Sequence, residues 1–435
     1  MATINNTRVT LRREMVETFG LGIARLTATG GSGTTGTFTD SRITYAAIDT
    51  RNYQRAFFYR PGAAAADQVR SISAIAVAAG VITITHDGAA YSVNPASGDD
   101  CEIHFRMDPN ELQRGLDRAM DRVYIEQLVP LTRVTDGDME ASGVTNWTDI
   151  SGLTPTQSKA TAAASVFMGA QSLRVLNDAA NEGVESAAIN VFPGEPFFCG
   201  AFVRLDTAGT ARLRLWNETN SAAIDTETTS ERDWAFVWFT GDTPSTARQV
   251  RARLIGDGAA EDPYWDSVIF FMQAEREMEL PSWVVESWQV RKVYEVRSLD
   301  ASPMMARAIF DRLIELRGWR RMVEQSALTV GRLRLNGVPS MARPLFVLAL
   351  RQASDIGLLT AETTQTDAPK DWLFAEWGKE VFKPLAQLFP DEMVVRGRGE
   401  VNRWDDLHDK SAARAVQLSQ HYIGPATAEL VMEPY

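Results

Sequence analysis

Residues 197–240 read FFCGAFVRLDTAGTARLRLWNETNSAAIDTETTSERDWAFVWFT, and this stretch decides the fold that we predict for the middle of the chain. Short apolar-rich runs alternate here with turns of Gly, Asp, Asn and Thr. Runs of the same kind lie on either side, SLRVL at residues 172–176 and VRARLIG at residues 250–256. Strands of this length bury one face and wet the other, as in an antiparallel jelly-roll β-sandwich. We therefore predict such a sandwich for residues 132–290.

The residues before the sandwich combine helical and strand patterns. The sequence DPNEL at residues 108–112 predicts a helix start, with an acidic N-cap, Pro at the first helical position and Glu at the third. Between this helix and an earlier one, short β-type runs separated by turn residues predict a small antiparallel sheet or barrel. We predict that residues 1–131 form an α/β N-terminal domain that mediates oligomerisation.

A helical pattern returns after the sandwich. Apolar residues recur at helical spacing after Ser302, after Pro344, across residues 367–388 and across residues 404–422. We therefore predict a mainly helical C-terminal domain at residues 291–435. The fold class is multidomain α+β, with the antiparallel jelly-roll β-sandwich in the middle.

The charge of the chain is concentrated in its middle third. The chain carries 44 basic and 56 acidic residues, a net charge of −12. Residues 132–290 alone hold 11 basic and 23 acidic side chains, which is the same imbalance. This segment is therefore expected to be a module with its own acidic surface.

No pattern in the sequence supports catalysis or a cofactor. The string GSGTTG at residues 31–36 matches G-x-G-x-x-G, but a dinucleotide site needs a helix after the glycines, and TFTDSRITYA reads as loop and strand. We find no G-x-S-x-G, no H-E-x-x-H and no paired Cys/His motif. We predict that the chain is not an enzyme and binds no organic cofactor.

The remaining composition bounds the environment of the protein. Cys101 and Cys199 lie far apart and form no metal or redox motif, so a disulfide framework is excluded as the source of stability. No apolar run approaches the ~20 residues of a membrane span. The first residues lack the apolar stretch of a secretory signal. We predict no association with a membrane.

The middle segment resembles the jelly-roll carbohydrate-binding modules of glycan-degrading enzymes. Four motifs carry the resemblance in the order of that family, and they are DGDME at residues 136–140, GAQSLRV at residues 169–175, VFPGEPF at residues 191–197 and YWDSVIF at residues 264–270. The resemblance implies the sandwich fold. It also implies a structural Ca²⁺ held by Glu140 and Asp266, although both carboxylates could equally cap turns.

The same resemblance implies a glycan site built from exposed aromatic residues. Trp234 and Trp238 fit a site less well than the core, because they lie in a densely apolar run. The candidates for glycan binding are Trp147, Trp216, Tyr264 and Trp265.

The flanking segments resemble structural proteins of tailed bacteriophage virions. A short helix, the strand sequence GDDCEIHFRM at residues 98–107 and the D-P-x-E-L helix start carry this resemblance. It implies a location in the virion and a ring of the chain with itself, most simply of six or twelve copies. It further implies portal and tail components as partners, and proximity of the Arg-bearing flanks to packaged DNA.

The sequence thus leads to three functional hypotheses. The leading one is a structural subunit of a tailed phage particle, a ring-forming connector, adaptor or neck protein at the head-to-tail junction whose acidic sandwich faces outward. The alternative is a glycan-binding adhesin, on a tail or on a cell surface, that uses the jelly-roll module. An enzyme with an accessory binding module comes third, because neither flank shows a catalytic constellation.

Overall fold

The computed structural model describes residues 7–21, 23–39, 56–60, 69–78, 81–150, 152–162, 164–259, 261–273, 275–281, 283–284, 289–317, 319–322, 332–336, 343–353, 366, 368–396 and 399–423. Contacts divide the chain into two compact units. One unit joins Met1–Ile125 with Gln352–Tyr435, and the other is Glu126–Arg351. This division differs from the three consecutive domains expected at residues 1–131, 132–290 and 291–435.

The first segment of the chain forms a closed antiparallel barrel with strand order β1-β2-β5-β4-β3-β6. Its core is apolar and includes Phe38, Phe58 and Ile103. The glycines at residues 31–36 lie in the β1–β2 hairpin, whose turn places Gly33 at a φ of 59°. The strand β2 follows them where a dinucleotide-binding turn would need a helix. The elements are α1 (Arg8–Thr18), β1 (Ile23–Ser32), β2 (Thr35–Thr39), β3 (Phe57–Tyr59), β4 (Val69–Ala78), β5 (Val81–His86), β6 (Asp100–His104) and α2 (Pro109–Met120).

The middle of the chain forms a β-sandwich, as predicted. It is jelly-roll-like, since successive strands cross between two antiparallel sheets. The strands are β7 (Tyr124–Pro130), β8 (Trp147–Asp149), β9 (Thr156–Ala160), β10 (Ser172–Leu176), β11 (Gly183–Ser186), β12 (Ile189–Asn190), β13 (Pro196–Leu205), β14 (Ala211–Asn217), β15 (Ala222–Thr229), β16 (Ala235–Asp242), β17 (Gln249–Gly256) and β18 (Pro263–Met272). One sheet contains β16-β13-β18-β10-β9 and the other β15-β14-β17-β11-β8, with β12 beside β17. Their inner faces share one apolar core.

The described residues of the next segment form mostly β-structure, so the prediction of a mainly helical domain was wrong there. The apolar run after Pro344 forms a strand, and the described residues that follow Ser302 include one short helix. The elements are β19 (Glu277–Glu279), β20 (Val290–Val296), β21 (Met304–Met305), α3 (Ala306–Phe310), β22 (Leu313–Glu315), β23 (Trp319–Met322), β24 (Arg332–Leu335) and β25 (Leu345–Gln352). They form the sheets β22-β20-β25-β7 and β19-β24-β23, while β21 joins β16 at the edge of the sandwich.

The strands added by this segment cover one face of the sandwich. Phe198, Phe236 and Phe271 point away from the inner core and pack with Val293 and Phe346 of the added sheet. The sheet that contains β13 and β18 is therefore the middle of three β layers. Every residue of β18 is buried, which is what a strand covered on both faces requires.

The final helices are confirmed close to the predicted positions. They are α4 (Lys370–Leu388) and α5 (Arg403–Ile423), separated by the hairpin of β26 (Met393–Arg396) and β27 (Gly399–Asn402). The indole N–H of Trp377 donates to the carbonyl of Leu112 in α2 at 2.8 Å. Because α4 packs on α2 in this way, the two ends of the chain share one unit. Within the described residues, no helix is long and apolar enough to cross a membrane.

Candidate functional site

The outward face of the sheet that contains β14 and β17 carries a row of arginines. Along both strands, buried apolar residues alternate with half-buried polar ones. This period of two sends Arg212, Arg214 and Trp216 of β14 and Arg251 and Arg253 of β17 to the side away from the core. We call these five residues the arginine face.

The only predicted glycan-binding aromatic on the described outward face of this sheet is Trp216, and it is half-buried. Trp216 lies opposite Arg251 in the β14–β17 pairing, and Arg214 lies opposite Arg253. The guanidinium carbon of Arg253 sits 3.8 Å from the centre of the Trp216 ring system. This distance is that of a cation–π contact, which places the N–H donors of Arg253 beside the indole.

Two of the arginines are fixed by carboxylates. Glu185 of β11 pairs with Arg253 at 2.8 Å and with Arg251 at 3.6 Å. Arg251 also pairs with Glu218 at 3.2 Å. Since Glu185 is largely buried, these pairs hold the guanidinium groups in place against the sheet.

The other two arginines differ in how their charge is compensated. Arg212 contacts Asp257 and Asn181, yet its Nε is buried without a hydrogen-bond acceptor among the described residues. Arg214 donates from Nε to the hydroxyl of Thr226 at 3.2 Å. Burial lowers the pKa of Arg214, and so do the like charges of Arg212 and Arg253. No described carboxylate lies within ion-pair distance of Arg214.

The other predicted glycan-binding aromatics do not join Trp216. Trp147 and Trp265 are 2% and 0% exposed and lie in the core between the sheets, so the prediction that they bind glycan was wrong. Tyr264 belongs to the other sheet and is 8% exposed. Its ring lies 5.9 Å from the Arg174 guanidinium and 5.7 Å from that of Arg204. Tyr264 thus offers little surface to a sugar.

The predicted calcium ligands converge on one loop. The backbone N–H groups of Ala170 and Gln171 donate to Oε1 of Glu140 at 2.7 and 3.3 Å. Those of Phe167 and Met168 donate to Oδ2 of Asp266, both at 2.9 Å. The two carboxylates therefore cap successive parts of the same turn, as in the alternative that the sequence left open.

Burial disfavours the charged forms of the Glu140 and Asp266 carboxyl groups. It raises the pKa of Glu140 to about 7, and that of Asp266 to about 8 with a contribution from the negative charge of Glu140. A Ca²⁺ ion would relieve this repulsion, but it takes six to eight oxygen ligands. Within the described residues no group of three or more acidic, His or Cys side chains is placed to hold a metal. The calcium site thus stays a prediction.

A cavity of about 500 Å³ lies beside this loop and is lined by Asp136, Asp138, Glu140 and Trp283 among others. Its carboxylates already have partners. The Lys159 ammonium donates to Asp136 at 2.7 Å, and the Trp283 indole N–H donates to Asp138 at 3.2 Å. These contacts hold the loop itself, so the arginine face is the better candidate for recognising a ligand.

The sequence contains a pattern that indicates the arginine face, although the predicted glycan site was based on aromatic residues alone. In ARLRLW at residues 211–216 and VRARLIG at residues 250–256, Arg occupies alternate positions of predicted strands. A period of two places these arginines on one face. The strand pairing, which the sequence does not reveal, then joins the two rows.

The sequence matches no known protein family. It matches no curated protein either. Among solved structures, the enzymatically active domain of tailspike protein 4 of bacteriophage CBA120 is similar at 15% identity and a TM-score of 0.27 over 33% of this chain. The chain spans 21% of the length of that domain.

Carbohydrate-binding modules are similar over the same share of the chain. TmCBM61 in complex with β-1,4-galactotriose is 11% identical, with a TM-score of 0.27 over 33% of this chain and 98% of its own. A xylan-binding domain from carbohydrate-binding module family 22 is 18% identical, with a TM-score of 0.27 over 33% of this chain and 95% of its own. We derive no ligand and no activity from these similarities.

Proposed function

We propose that this protein binds glycans through the arginine face, which corresponds to the adhesin alternative. The observation that carries the proposal is the position of Trp216. It is half-buried on an outward sheet face, with Arg253 stacked against it at 3.8 Å. Aromatic ring faces contact the apolar faces of sugars, while neighbouring N–H donors bind hydroxyl groups.

The covered side of the sandwich favours the same face. Phe198, Phe236 and Phe271 would offer aromatic surface on the other sheet, but the added β-layer buries them. On the sandwich itself, the sheet face without this cover is therefore the one that carries Trp216. Two arginines of that face are held by Glu185 before a ligand arrives.

Glycan-array binding of the full chain tests the proposal. The change Trp216→Ala is expected to weaken binding by about tenfold or more, because an aromatic anchor contributes about 2 kcal/mol. Phe192→Ala is the matched control, since Phe192 is 67% exposed and lies in a turn outside β14 and β17. Equal binding by wild type and Trp216→Ala, or no binding to any glycan, would refute the proposal.

The connector hypothesis remains a prediction. It requires copies of the chain and virion partners, and it is decided by the mass of the purified assembly. A ring of six or twelve copies would support it, and its location in the virion could then be tested by imaging the particle. Glycan binding and assembly into a particle are compatible, so neither result alone excludes the other.

A further inference from the structure

The arginine face is rich in cationic groups that the fold does not neutralise fully. Glu185 is shared between Arg251 and Arg253, so one carboxylate serves two guanidinium groups. Arg214 is half-buried and donates to the Thr226 hydroxyl, a neutral acceptor. A desolvated guanidinium is stabilised most by an anionic acceptor, which gives short charge-assisted hydrogen bonds.

The geometry places further donors beside Arg214. Arg212 lies two residues earlier on the same strand, and its buried Nε has no hydrogen-bond acceptor among the described residues. Arg253 lies opposite Arg214 on β17. At about 3.4 Å per residue, the row from Arg212 to Trp216 extends over about 14 Å. This length accommodates several groups of an extended ligand rather than one small ion.

We propose that the arginine face binds an acidic polysaccharide, with Arg214 receiving an acid group of the sugar chain while Trp216 contacts a sugar ring. The inference rests on the proposed glycan binding and specifies the class of glycan. The planar guanidinium fork pairs bidentately with carboxylates and also binds sulfate esters, so the shared chemistry is an oxyanion carried by a sugar.

The charge of the surroundings favours a sugar chain over a nucleic acid. Glu185, Glu218 and Asp257 are interleaved with the arginines, and residues 132–290 carry 23 acidic against 11 basic side chains. A nucleic acid bears a phosphate at every nucleotide and would be repelled by this module along its length. A polysaccharide with spaced acid groups can place one of them at Arg214, the arginine of this face without a described carboxylate partner.

Calorimetric titration of the full chain tests the inference. The probes are hyaluronate, which carries a carboxylate on alternate sugars, lightly sulfated dextran, neutral dextran and single-stranded DNA. We expect an acidic polysaccharide to bind tighter than dextran, and Arg214→Gln to weaken that binding about 10- to 100-fold. Preference between the carboxylated and the sulfated probe identifies the acid group. Arg232→Gln is the control, because Arg232 is exposed outside the arginine face and is expected to leave affinity unchanged.

Each contrary result has a distinct meaning. Equal, Trp216-dependent binding of neutral and acidic glycans would overturn the acidic preference but keep glycan binding. Tighter binding of DNA than of either acidic polysaccharide would also overturn the inference, in favour of a nucleic acid. If the wild-type chain binds no glycan, both proposals are overturned. If Arg214→Gln does not fold, the wild type decides, because acidic binding must weaken with added NaCl while neutral binding does not.

Discussion

The change Gly169→Ala tests how strongly the carboxylate of Glu140 holds its loop. Gly169 has a φ of 73°, and a Cβ built there would lie 2.0 Å from Oε1 of Glu140. The left-handed backbone alone costs an alanine about 1–2 kcal/mol. Displacing Glu140 would also disturb its bonds from Ala170 and Gln171, and hydrogen bonds to a charged group contribute about 1.5–3 kcal/mol. We expect Gly169→Ala to destabilise the fold by about 2.5–5 kcal/mol.

Gly194→Ala is the matched control for this experiment. Gly194 also has a φ of 73°, but a Cβ there would meet no atom within 4 Å, so only the backbone cost of about 1–2 kcal/mol applies. Urea denaturation measures both variants, and hydrogen exchange at Ala170 and Gln171 reports the loop directly. In a Glu140→Ala background the excess cost of Gly169→Ala should shrink, and the part that remains comes from Nε2 of Gln127, 2.6 Å from the added Cβ. Equal destabilisation by the two glycine changes would show that Glu140 does not resist the added Cβ.

Two further predictions concern the same carboxylates. Because burial raises the pKa of Asp266 from 3.8 to about 8, the folded state binds the proton more tightly than the unfolded state. The free energy of unfolding of wild type, relative to that of Asp266→Asn, should therefore be greatest near pH 4 and fall as the pH rises towards about 8. Urea denaturation measures this difference, and a difference that stays constant over this pH range would contradict the prediction. If Glu140 and Asp266 hold calcium, millimolar Ca²⁺ should raise the melting temperature of wild type but not of Glu140→Gln, with Mg²⁺ as the control. A melting temperature that Ca²⁺ leaves unchanged would instead assign both carboxylates to turn capping alone.

The sandwich was predictable because its half-buried strands carry their own pattern. In β14 and β17, alternation between apolar and polar residues specifies one buried face without knowledge of the partner strand. The strands β13 and β18 are different. The sequence PYWDSVIFFM of β18 has no exposed position, so it needs cover on both faces. The second cover comes from β20, which follows β18 closely, and from β7 and β25, which lie far away in sequence. No local pattern indicates that these strands pair.

The prediction of helices between Ser302 and residue 357 was wrong for a related reason. The run LFVLALRQ of β25 is short, and a short apolar run is compatible with either a buried strand or a buried helix. Its partners decide between them, since β20 offers an unpaired edge that an extended segment can join. By contrast, α4 is 19 residues long, so its repeated helical period was decisive without any knowledge of its neighbours.

The charge pattern identified a surface rather than a packing unit. The acidic excess is confined to residues 132–290, but the compact unit extends to Arg351. Apolar contacts determine which segments pack together, whereas charged side chains remain at the surface and contribute little to that choice. The predicted boundary near residue 290 therefore follows the end of the acidic surface. The chain continues past it into the layer that covers β13 and β18.

The two outer faces of the sandwich consequently differ in chemistry. One is aromatic and lies beneath the added sheet, where Phe198 and Phe271 gain the free energy of apolar burial. The other carries arginines held by Glu185 and Glu218, together with one stacked indole. A resemblance to sugar-binding modules draws attention to aromatic residues in general, yet most of the aromatic residues that the structure describes are buried. The face left for recognition combines charge with a single ring, and a ligand that suits it must bring both an apolar surface and an anion.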